Sequence, residues 1–397
     1  MKKRLEGYLL YYLLILLSFA YFFLFLKHGV GNDSTISEWL INYEGGFTKR
    51  GIIGQIAIEI SRYFNSELRW VIFILQTFTI TSYFLLLFYL LKKLHYERVI
   101  ILSIFTPIFI LYPVAEIEVL ARKEIIVFCS FLIYFLVPRD NKFKSTSFII
   151  FLTFAMLVWE PIIIFFPLIL LFEIIENNIE KLNFNFIKII FCFIPSLVIA
   201  LIIFFNPLTV DEHTIMKTVL KNEFGENCYM SCHRLITVPI EGNFKEVYNK
   251  YSFEVFFRYS LIILIGFFPL LVLLNSSSLK NKNLFIFKKF NKPIFTFYIA
   301  LLPVILLFAA GYDWGRWVNI SYVMLALIYY KLLLNNHLIL NFEKLKKHFL
   351  YKIKGKAFIF LFIIYCFGWN PKTVISGDVA SFPGYRIPYK VFKIVSN

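Results

Sequence analysis

Long apolar runs separated by short polar segments dominate the chain. They lie near residues 5–26, 70–91, 99–114, 125–137, 148–172, 184–205, 255–274, 294–310, 318–334 and 357–369. A run of about 20 apolar residues is long enough for an α-helix to cross a bilayer. The pattern therefore predicts an all-α integral membrane protein, in which a polytopic helical bundle forms one transmembrane domain over residues 1–397.

The run 148–172 is interrupted in its middle by Trp159, Glu160 and Pro161. A bare carboxylate at mid-membrane costs several kcal/mol, so the segment is either one broken helix or a short hairpin. A hairpin gives about eleven spans, with the N-terminus inside and the C-terminus outside. This topology places 23 of the 41 Lys and Arg residues, but only 7 of the 25 Asp and Glu residues, on the cytoplasmic side. A single crossing removes that asymmetry, so the positive-inside rule favours the hairpin.

The predicted topology leaves three long segments on the outer side of the membrane. These are a first loop at 28–68, a large loop at 206–254 and a C-terminal tail at 370–397. In the first loop, the isoleucines between Ile52 and Ile60 predict a helix along the membrane interface. The tail contains Gly377, Pro383, Gly384 and Pro388 and is expected to be irregular.

Composition excludes a soluble protein. Apolar residues make up 59% of the chain and charged residues 17%, against about 45–50% and about 25% in an average globular chain. The five cysteines are too few for a disulfide scaffold, and no phosphate-binding glycine loop, HExxH helix or paired CxxC motif occurs. The lysine clusters at 280–292 and 344–356 are interpreted as orientation signals, so no nucleic-acid partner is expected.

Two adjacent cations, Lys49 and Arg50, lie on the predicted outer side, where cations are disfavoured. Paired glycines precede them in the segment from Glu44 to Gly51. Glycine lets the backbone approach a ligand closely, and the side chains of Arg and Lys both suit phosphate. The segment predicts a site for an anionic ligand. The alternative is a tight turn whose cations reach back to the membrane interface.

A cluster of five charges occupies residues 116–124, directly before an apolar run. In a helix, the i,i+4 spacing pairs Glu118 with Arg122, and Glu124 can join the same network. The cluster then either neutralises itself or holds Arg122 and Lys123 toward a substrate in a membrane-rimmed cavity.

Two further acids lie beside tryptophans. Glu160 follows Trp159 at the break in the fifth apolar run, where burial would raise its pKa and suit it to acid or base chemistry. Asp313 and Arg316 flank Trp314 in a short turn, and aromatic rings in such a turn suit the faces of a sugar. The alternatives are a salt bridge at the hairpin tip and an ordinary interfacial aromatic belt.

The large loop contains Cys228, Cys232, His233 and Arg234. Two cysteines and one adjacent histidine make an incomplete ligand set for zinc, whereas in an oxidising compartment the cysteines can form a disulfide. His233 and Arg234 are further candidates for substrate binding. No clustered pair of acids in the chain demands a divalent metal, so no metal ligand is predicted, although a divalent metal stays possible as a cofactor.

Four motifs resemble those of bacterial membrane glycan-assembly enzymes: Glu44 to Gly51, Arg122-Lys123-Glu124, Trp159-Glu160 and Asp313-x-x-Arg316. The similar groups are Wzy-type O-antigen or capsule polymerases and the GT-C glycosyltransferases. The resemblance implies transfer of a sugar or oligosaccharide from a polyprenyl (di)phosphate to a glycan acceptor, at the outer face of the bacterial cytoplasmic (inner) membrane. The implied partners are the polyprenyl-linked saccharide, membrane lipids and other polysaccharide-assembly proteins.

The same resemblance implies roles for the charged residues. The predicted substrate-binding residues are Lys49, Arg50, Arg122, Lys123, Arg316, Arg234, His233, Trp159 and Trp314. The cations among them would neutralise the departing diphosphate. Glu44, Glu160 and Asp313 are the alternatives for the base of an inverting displacement.

The chain also departs from both groups. GT-C enzymes typically carry an acid in the first outer loop, and this loop offers Asp33, Glu38 and Glu44. Wzy enzymes typically have arginine-rich outer loops, and the large loop and its border contain only Arg234 and Arg258. A transporter or flippase of lipid-linked sugars is the main alternative function. Transporters often place charges along a path near mid-membrane, whereas here the unusual charges gather on one predicted face.

Overall fold

The protein is described by a computed structural model that covers residues 2–30, 34–237, 240–286, 292–375 and 386–396. The first helices in chain order are α1 (Lys2–His28), α2 (Ser34–Ser37), α3 (Gly51–Phe64), α4 (Leu68–Leu91), α5 (Arg98–Phe105), α6 (Tyr112–Ala115), α7 (Glu124–Leu136), α8 (Lys144–Val158), α9 (Phe166–Glu176) and α10 (Phe184–Phe205). Then follow α11 (Val210–Phe224), α12 (Met230–Thr237), α13 (Ile240–Lys250), α14 (Phe253–Asn275), α15 (Pro293–Leu301), α16 (Ile305–Ala310), α17 (Trp314–Leu334), α18 (Phe342–Lys346), α19 (Phe349–Lys352), α20 (Gly355–Phe367) and α21 (Arg386–Ser396). Short 3-10 helices occupy Ile117–Val119, Glu160–Phe165 and Leu302–Val304, and strands β1 (Ser277–Leu279) and β2 (Leu338–Leu340) pair antiparallel.

Six helical segments of the described chain are long and apolar enough to cross a membrane. They are α1 from Leu5, α4, α10, α14, the α15–α16 segment and α17. The prediction of a helical membrane protein is therefore confirmed. The number of eleven spans and the orientation of the termini stay predictions, because α7, α8 and α20 are apolar but shorter than a full span.

Helix α17 is the central helix of the bundle, since almost all of its residues are buried. Its tyrosines keep their hydroxyl groups satisfied inside the apolar core. The Tyr322 hydroxyl donates to the backbone carbonyl of Ser103 at 2.6 Å, and the Tyr330 hydroxyl lies 2.7 Å from the Ser103 hydroxyl. These bonds offset the cost of burying polar groups, and they fix α5 against α17.

The predicted span 99–114 is wrong as a continuous helix. Helix α5 ends at Phe105, just before Thr106 and Pro107, because proline cannot donate to the helix and disfavours helical backbone in the residue before it. The carbonyl groups of Ile108 and Phe109 are left without helical partners and accept the Asn319 side-chain amide at 2.9 and 3.2 Å. A polar side chain of α17 therefore stabilises the break.

The run 148–172 is broken at the place that the sequence predicts. Helix α8 ends at Val158 and α9 begins at Phe166, with a 3-10 segment between them. Lys144 at the start of α8 and Glu173 near the end of α9 line the same cavity, so the chain turns back at Glu160. We call the end of the bundle that contains Glu160 the tip end. Helices α7 and α17 both begin at this end.

The outer segments contain helices, and the prediction of a wholly irregular tail is wrong. The large loop 206–254 contains three helices, α11, α12 and α13, and α11 begins with a capping box in which Thr209 and Glu212 bond each other's backbone N–H groups. In the tail, α21 is helical. The helix tolerates Pro388 because this residue falls in the first turn, where no helical N–H is needed. Residues 376–385, with Gly377, Pro383 and Gly384, lie outside the described residues. The helix expected in the first loop is α3.

Candidate functional site

A polar cavity of about 360 Å³ lies at the tip end of the bundle, beside the start of α17. It is lined by Ile41, Lys49, Arg50, Glu118, Arg122, Met230, Ser231, Arg234, Leu235, Asn243, Gly311, Tyr312, Asp313, Arg316, Trp317, Thr373 and Val374. Five segments that are far apart in sequence contribute to this wall. We call it the tip cavity.

Six of the residues that the sequence predicts as functional meet in the tip cavity. They are Lys49, Arg50, Arg122, Arg234, Asp313 and Arg316. Among the described residues of the lining, five side chains are cationic and two, Glu118 and Asp313, are carboxylates. The lining therefore has more cations than carboxylates, which suits an anionic ligand, although acids outside the lining pair with its arginines.

Glu38 holds the arginines of this wall together. Its side chain is fully buried, and its carboxylate lies 3.2 Å from Arg50, 3.4 Å from Arg122 and 3.8 Å from Arg316. Burial raises the pKa of Glu38, but the surrounding guanidinium groups outweigh burial and hold that pKa below its usual value. In the sequence, Glu38 is one of three candidate acids in the first loop. Its position in the chain does not reveal that it contacts Arg316 of α17.

Glu38, Glu160 and Lys123 hold Arg50 in place. Its guanidinium forms a bidentate pair with Glu160, at 2.7 and 2.8 Å, and its backbone carbonyl accepts the ammonium of Lys123 at 2.5 Å. Arg50 also adopts the left-handed conformation, with φ of 63°, as the N-cap of α3. For a non-glycine residue this conformation costs about 1–2 kcal/mol, so the ion pairs hold a strained residue at the cavity wall.

Glu160 and Lys123 therefore support the site without lining the tip cavity. Glu160 neutralises Arg50 across the hairpin tip, which confirms the predicted salt bridge. The predicted rise in the pKa of Glu160 is wrong, because Arg50 and Lys49 outweigh burial and lower that pKa. Lys123 is completely buried, and burial lowers the pKa of its ammonium to about 7.

Arg316 and Asp313 bring the start of α17 into the same network. Arg316 pairs with Glu124, at the start of α7, and with Asp313 at 3.1 Å. Its guanidinium lies 5.1 Å from the centre of the Trp317 ring. Asp313 is partly exposed to the cavity, with 21% of its side-chain surface accessible. It is the only one of the three predicted base candidates that lines the described part of the cavity wall.

Glu44 does not reach the tip cavity. Its carboxylate pairs with Arg62 of α3 at 2.8 and 3.0 Å, in an exposed network that also includes Glu223. The neighbouring Gly45 and Gly46 pack against Glu212. A side chain at Gly45 would overlap the backbone carbonyl of Glu212, at 1.8 Å. Glu44, a predicted candidate for the base, therefore lies away from the tip cavity, and the glycines contact Glu212 where a ligand was predicted.

Three other predicted residues also lie away from the cavity wall. Trp159 is buried beneath the hairpin tip, with 1% of its surface exposed. Trp314 turns toward α16, where its indole N–H donates to the Phe308 carbonyl at 2.8 Å. His233 points to solvent. Trp317, three residues after Trp314 on α17, is the tryptophan that lines the cavity.

The predicted helical pair of Glu118 and Arg122 does not form. The backbone is a 3-10 turn at Ile117–Val119 and becomes left-handed at Ala121, with φ of 56°. Arg122 donates through Nε to the backbone carbonyl of Glu118, at 2.9 Å, and its terminal nitrogen faces Glu38. The side chain of Glu118 is left on the cavity wall.

The cysteines of the large loop form a disulfide between Cys228 and Cys232. His213 lies beside it, with Nε2 at 3.0 Å from Cys228 Sγ. These three residues could offer metal ligands only with the disulfide open, because a bonded sulfur is not a thiolate.

One wall of the cavity comes from a segment that sequence reasoning placed in an irregular tail. Thr373 and Val374 line the tip cavity, and Asn370 donates to the buried carboxylate of Glu116 at 2.7 Å. The segment lies so close to α17 that a side chain at Gly315 would meet a backbone oxygen at 2.0 Å. The glycine is therefore required for this close packing.

An apolar cleft of about 520 Å³ lies next to the tip cavity, between α14, the α15–α16 segment and α17. Its lining includes Leu264, Phe267, Phe297, Leu301, Phe308 and Val318. On α17, Val318 lines the cleft and the adjacent Trp317 lines the tip cavity. The two cavities therefore lie on different sides of the start of α17, and their linings share no described residue.

Comparison with known proteins does not identify a family for this chain. Function is therefore inferred from the cavity and the cleft. No family model matches the chain, and neither a curated protein nor a solved structure is similar to it.

Proposed function

We propose that the protein is a membrane glycosyltransferase or polymerase that transfers a sugar or oligosaccharide from a polyprenyl (di)phosphate to a glycan acceptor. The observation that carries the proposal is the tip cavity, whose lining has more cations than carboxylates, with an apolar cleft on the other side of the start of α17. A polyprenyl-linked saccharide has the matching halves, since its anionic diphosphate suits the cavity and its hydrocarbon chain suits the cleft.

Lys49 is the cation best placed to meet the diphosphate. It lines the tip cavity, and no salt bridge within 4 Å joins it to a described residue, although Glu160 attracts it at longer range. The arginines around it are already oriented by Glu38, Glu124 and Glu160. Fixed positive groups of this kind stabilise charge that grows on the leaving diphosphate, because they need no reorganisation during the reaction.

Asp313 is the base in this proposal. Its carboxylate takes the proton of the acceptor hydroxyl, whose oxygen bonds to the anomeric carbon on the face opposite the diphosphate. The bond between that carbon and the diphosphate oxygen breaks, and its electron pair leaves with the diphosphate. The product has inverted anomeric configuration. Arg316, at 3.1 Å from Asp313, orients the carboxylate.

The setting follows from the same chemistry. Nucleotide sugars are not available outside a bacterial cell, so a lipid-linked donor suits a site at the outer face of the cytoplasmic membrane. In that setting the protein works in surface polysaccharide biosynthesis, beside other assembly proteins. Both Wzy-type polymerases and GT-C enzymes fit this description, and they differ in the number of units that they add.

The experiment is an electrophoretic profile of surface polysaccharide from a host that lacks the gene. The host is complemented with the wild type, with Lys49→Met or with the control Lys221→Met, which removes an exposed lysine of α11. Restoration of a ladder by the wild type and the control, but not by Lys49→Met, supports a polymerase. Rungs that each lack one sugar support a single-addition transferase. An unchanged profile without the gene would sink the proposal and favour a transporter of another substrate.

A further inference from the structure

A second polar cavity lies at the other end of the bundle from the tip cavity. It has a volume of about 280 Å³, and its lining includes Arg139, Lys142, Lys144, Lys188, Glu173 and Asn185. We call it the base cavity. Helix α7 connects the two ends, because Glu124 at its start pairs with Arg316 and Tyr134 near its end lines the base cavity. Its 13 residues separate the cavities by about 20 Å.

The cations of the base cavity form no close ion pairs within the described chain, although Glu173 and Glu176 attract Lys144 at longer range. None of Arg139, Lys142, Lys144 and Lys188 forms an ion pair with a residue in the described ranges. Lys144 is buried, and its ammonium contacts only the backbone carbonyls of Tyr134 and Val137, at 3.4 and 3.1 Å, and the face of the Tyr134 ring. Cationic side chains that line a cavity and form no close ion pairs provide a site for an anion.

The one carboxylate in the lining does not supply the missing negative charge at the cavity surface. Glu173 is 3% exposed. It accepts the Tyr134 hydroxyl at 2.6 Å and the Asn177 amide at 3.0 Å. Its oxygens are occupied from inside the bundle, so the exposed side chains of Arg139, Lys142 and Lys188 determine the charge at the opening of the cavity.

The position of the cavity identifies the kind of anion. One wall is the first half of α10, which lies at the edge of the bundle. On this helix Asn185 and Lys188 line the cavity, whereas Phe184, Ile187 and Phe191 are exposed, at 77%, 48% and 61%. An anion bound here would have an apolar, outward-facing helix surface beside it. A diacyl lipid presents this combination of a phosphate and hydrocarbon chains.

We propose that the base cavity binds the phosphate of an anionic phospholipid headgroup, with the acyl chains along the exposed face of α10. Basic pockets between membrane helices on the cytoplasmic side bind such headgroups, and the distribution of Lys and Arg predicts that this end of the bundle is cytoplasmic. The site is separate from the tip cavity and does not depend on the function proposed for it.

The test uses the full chain, purified in detergent and titrated with fluorescent phosphatidylglycerol or phosphatidylcholine. The variant is Lys142→Gln/Lys188→Gln, which removes two exposed charges from the cavity. The matched control is Lys352→Gln/Lys356→Gln, which removes two exposed charges outside it. We expect the wild type to prefer phosphatidylglycerol, and the cavity variant to bind it roughly ten-fold more weakly. The control should bind like the wild type, and all three should have the same unfolding temperature.

Two results would overturn the proposal. Equal losses in both variants would show general attraction to surface lysines, and no preference for phosphatidylglycerol would remove the anion site. A third arm distinguishes the source of the phosphate. Inorganic phosphate that binds as tightly as the lipid, with the same loss in the cavity variant, would identify a site for a free anion and not for a lipid.

Discussion

The two polar cavities contain similar numbers of cationic side chains, but most of these side chains are paired with acids at one cavity and they lack close ion pairs in the described chain at the other. At the tip cavity, Arg50, Arg122 and Arg316 all face the buried carboxylate of Glu38. At the base cavity, Lys142 and Lys188 are exposed and have no acidic partner among the described residues. The first arrangement fixes cations in position for a ligand, and the second leaves Lys142 and Lys188 exposed to solvent without a close ion pair in the described chain.

This difference predicts different responses to mutation. Removing one partner of a buried ion pair leaves an uncompensated charge, which is strongly destabilising. Removing an exposed, unpaired lysine leaves nothing unsatisfied. The tip cavity should therefore be a structural as well as a functional centre, and the base cavity should tolerate change.

The largest effect is expected from Glu38→Gln. The substitution removes the carboxylate that three arginines share, so it should lower the free energy of unfolding by about 3–5 kcal/mol. Thermal unfolding of the purified protein in detergent measures this change. The control is Glu44→Gln, whose carboxylate belongs to an exposed network around Arg62, and whose cost should be about 1 kcal/mol or less. Equal costs for the two variants would contradict the central place of Glu38.

Arg50→Lys should impair activity with less effect on stability. Lysine keeps the positive charge but cannot form the bidentate pair with Glu160. We expect a loss of roughly ten- to a hundred-fold in transfer of sugar from a lipid-linked donor, because a misplaced cation stabilises the leaving diphosphate poorly. Arg139→Lys at the base cavity is the control and should keep full activity. Full activity of Arg50→Lys would remove the role proposed for its guanidinium.

Lys123 predicts a rise in stability with increasing pH. Burial lowers its pKa to about 7 in the folded protein, whereas an unfolded lysine has a pKa of about 10.4. Between these values the unfolded chain binds the extra proton, so the contribution of Lys123 to stability increases from pH 7 toward pH 10. Unfolding temperatures of the wild type and of Lys123→Met should show this rise in the wild type alone. The same slope in both proteins would refute the assignment to Lys123.

The smallest effect is expected from Lys188→Gln at the base cavity. This lysine is exposed and unpaired within the described chain, so the unfolding free energy should change by less than about 0.5 kcal/mol. Thermal unfolding under the conditions used for Glu38→Gln gives the direct comparison. A loss as large as that of Glu38→Gln would show that the base cavity, too, contributes to the stability of the fold.

Much of the fold could be predicted from the apolar runs, because membrane helices must satisfy their own backbone and therefore leave a strong pattern. The break at Glu160 was also visible, since a carboxylate and a proline interrupt the run there. The broken segment after Phe105 was missed, because its prolines lie among apolar residues. Its carbonyl groups are satisfied by Asn319, which lies far away in sequence.

The site was predicted in part for a related reason. Cations on the predicted outer side indicated Lys49, Arg50 and Arg316, since charges there need a partner. The identity of that partner depends on which helices meet, so Glu38 could not be chosen over Glu44. The orientation of a ring around a helix start is equally a property of packing, and Trp317 was therefore missed in favour of Trp314.

The most direct test of the central claim is photo-cross-linking with a polyprenyl diphosphate saccharide that has a photoreactive group in its hydrocarbon chain. We predict cross-links to α14, the α15–α16 segment and α17, along the apolar cleft. Lys49→Met should lower labelling roughly ten-fold, and Lys221→Met should leave it unchanged. Labelling spread over the other membrane helices, or equal labelling of the two variants, would contradict a donor site formed by the tip cavity and the apolar cleft.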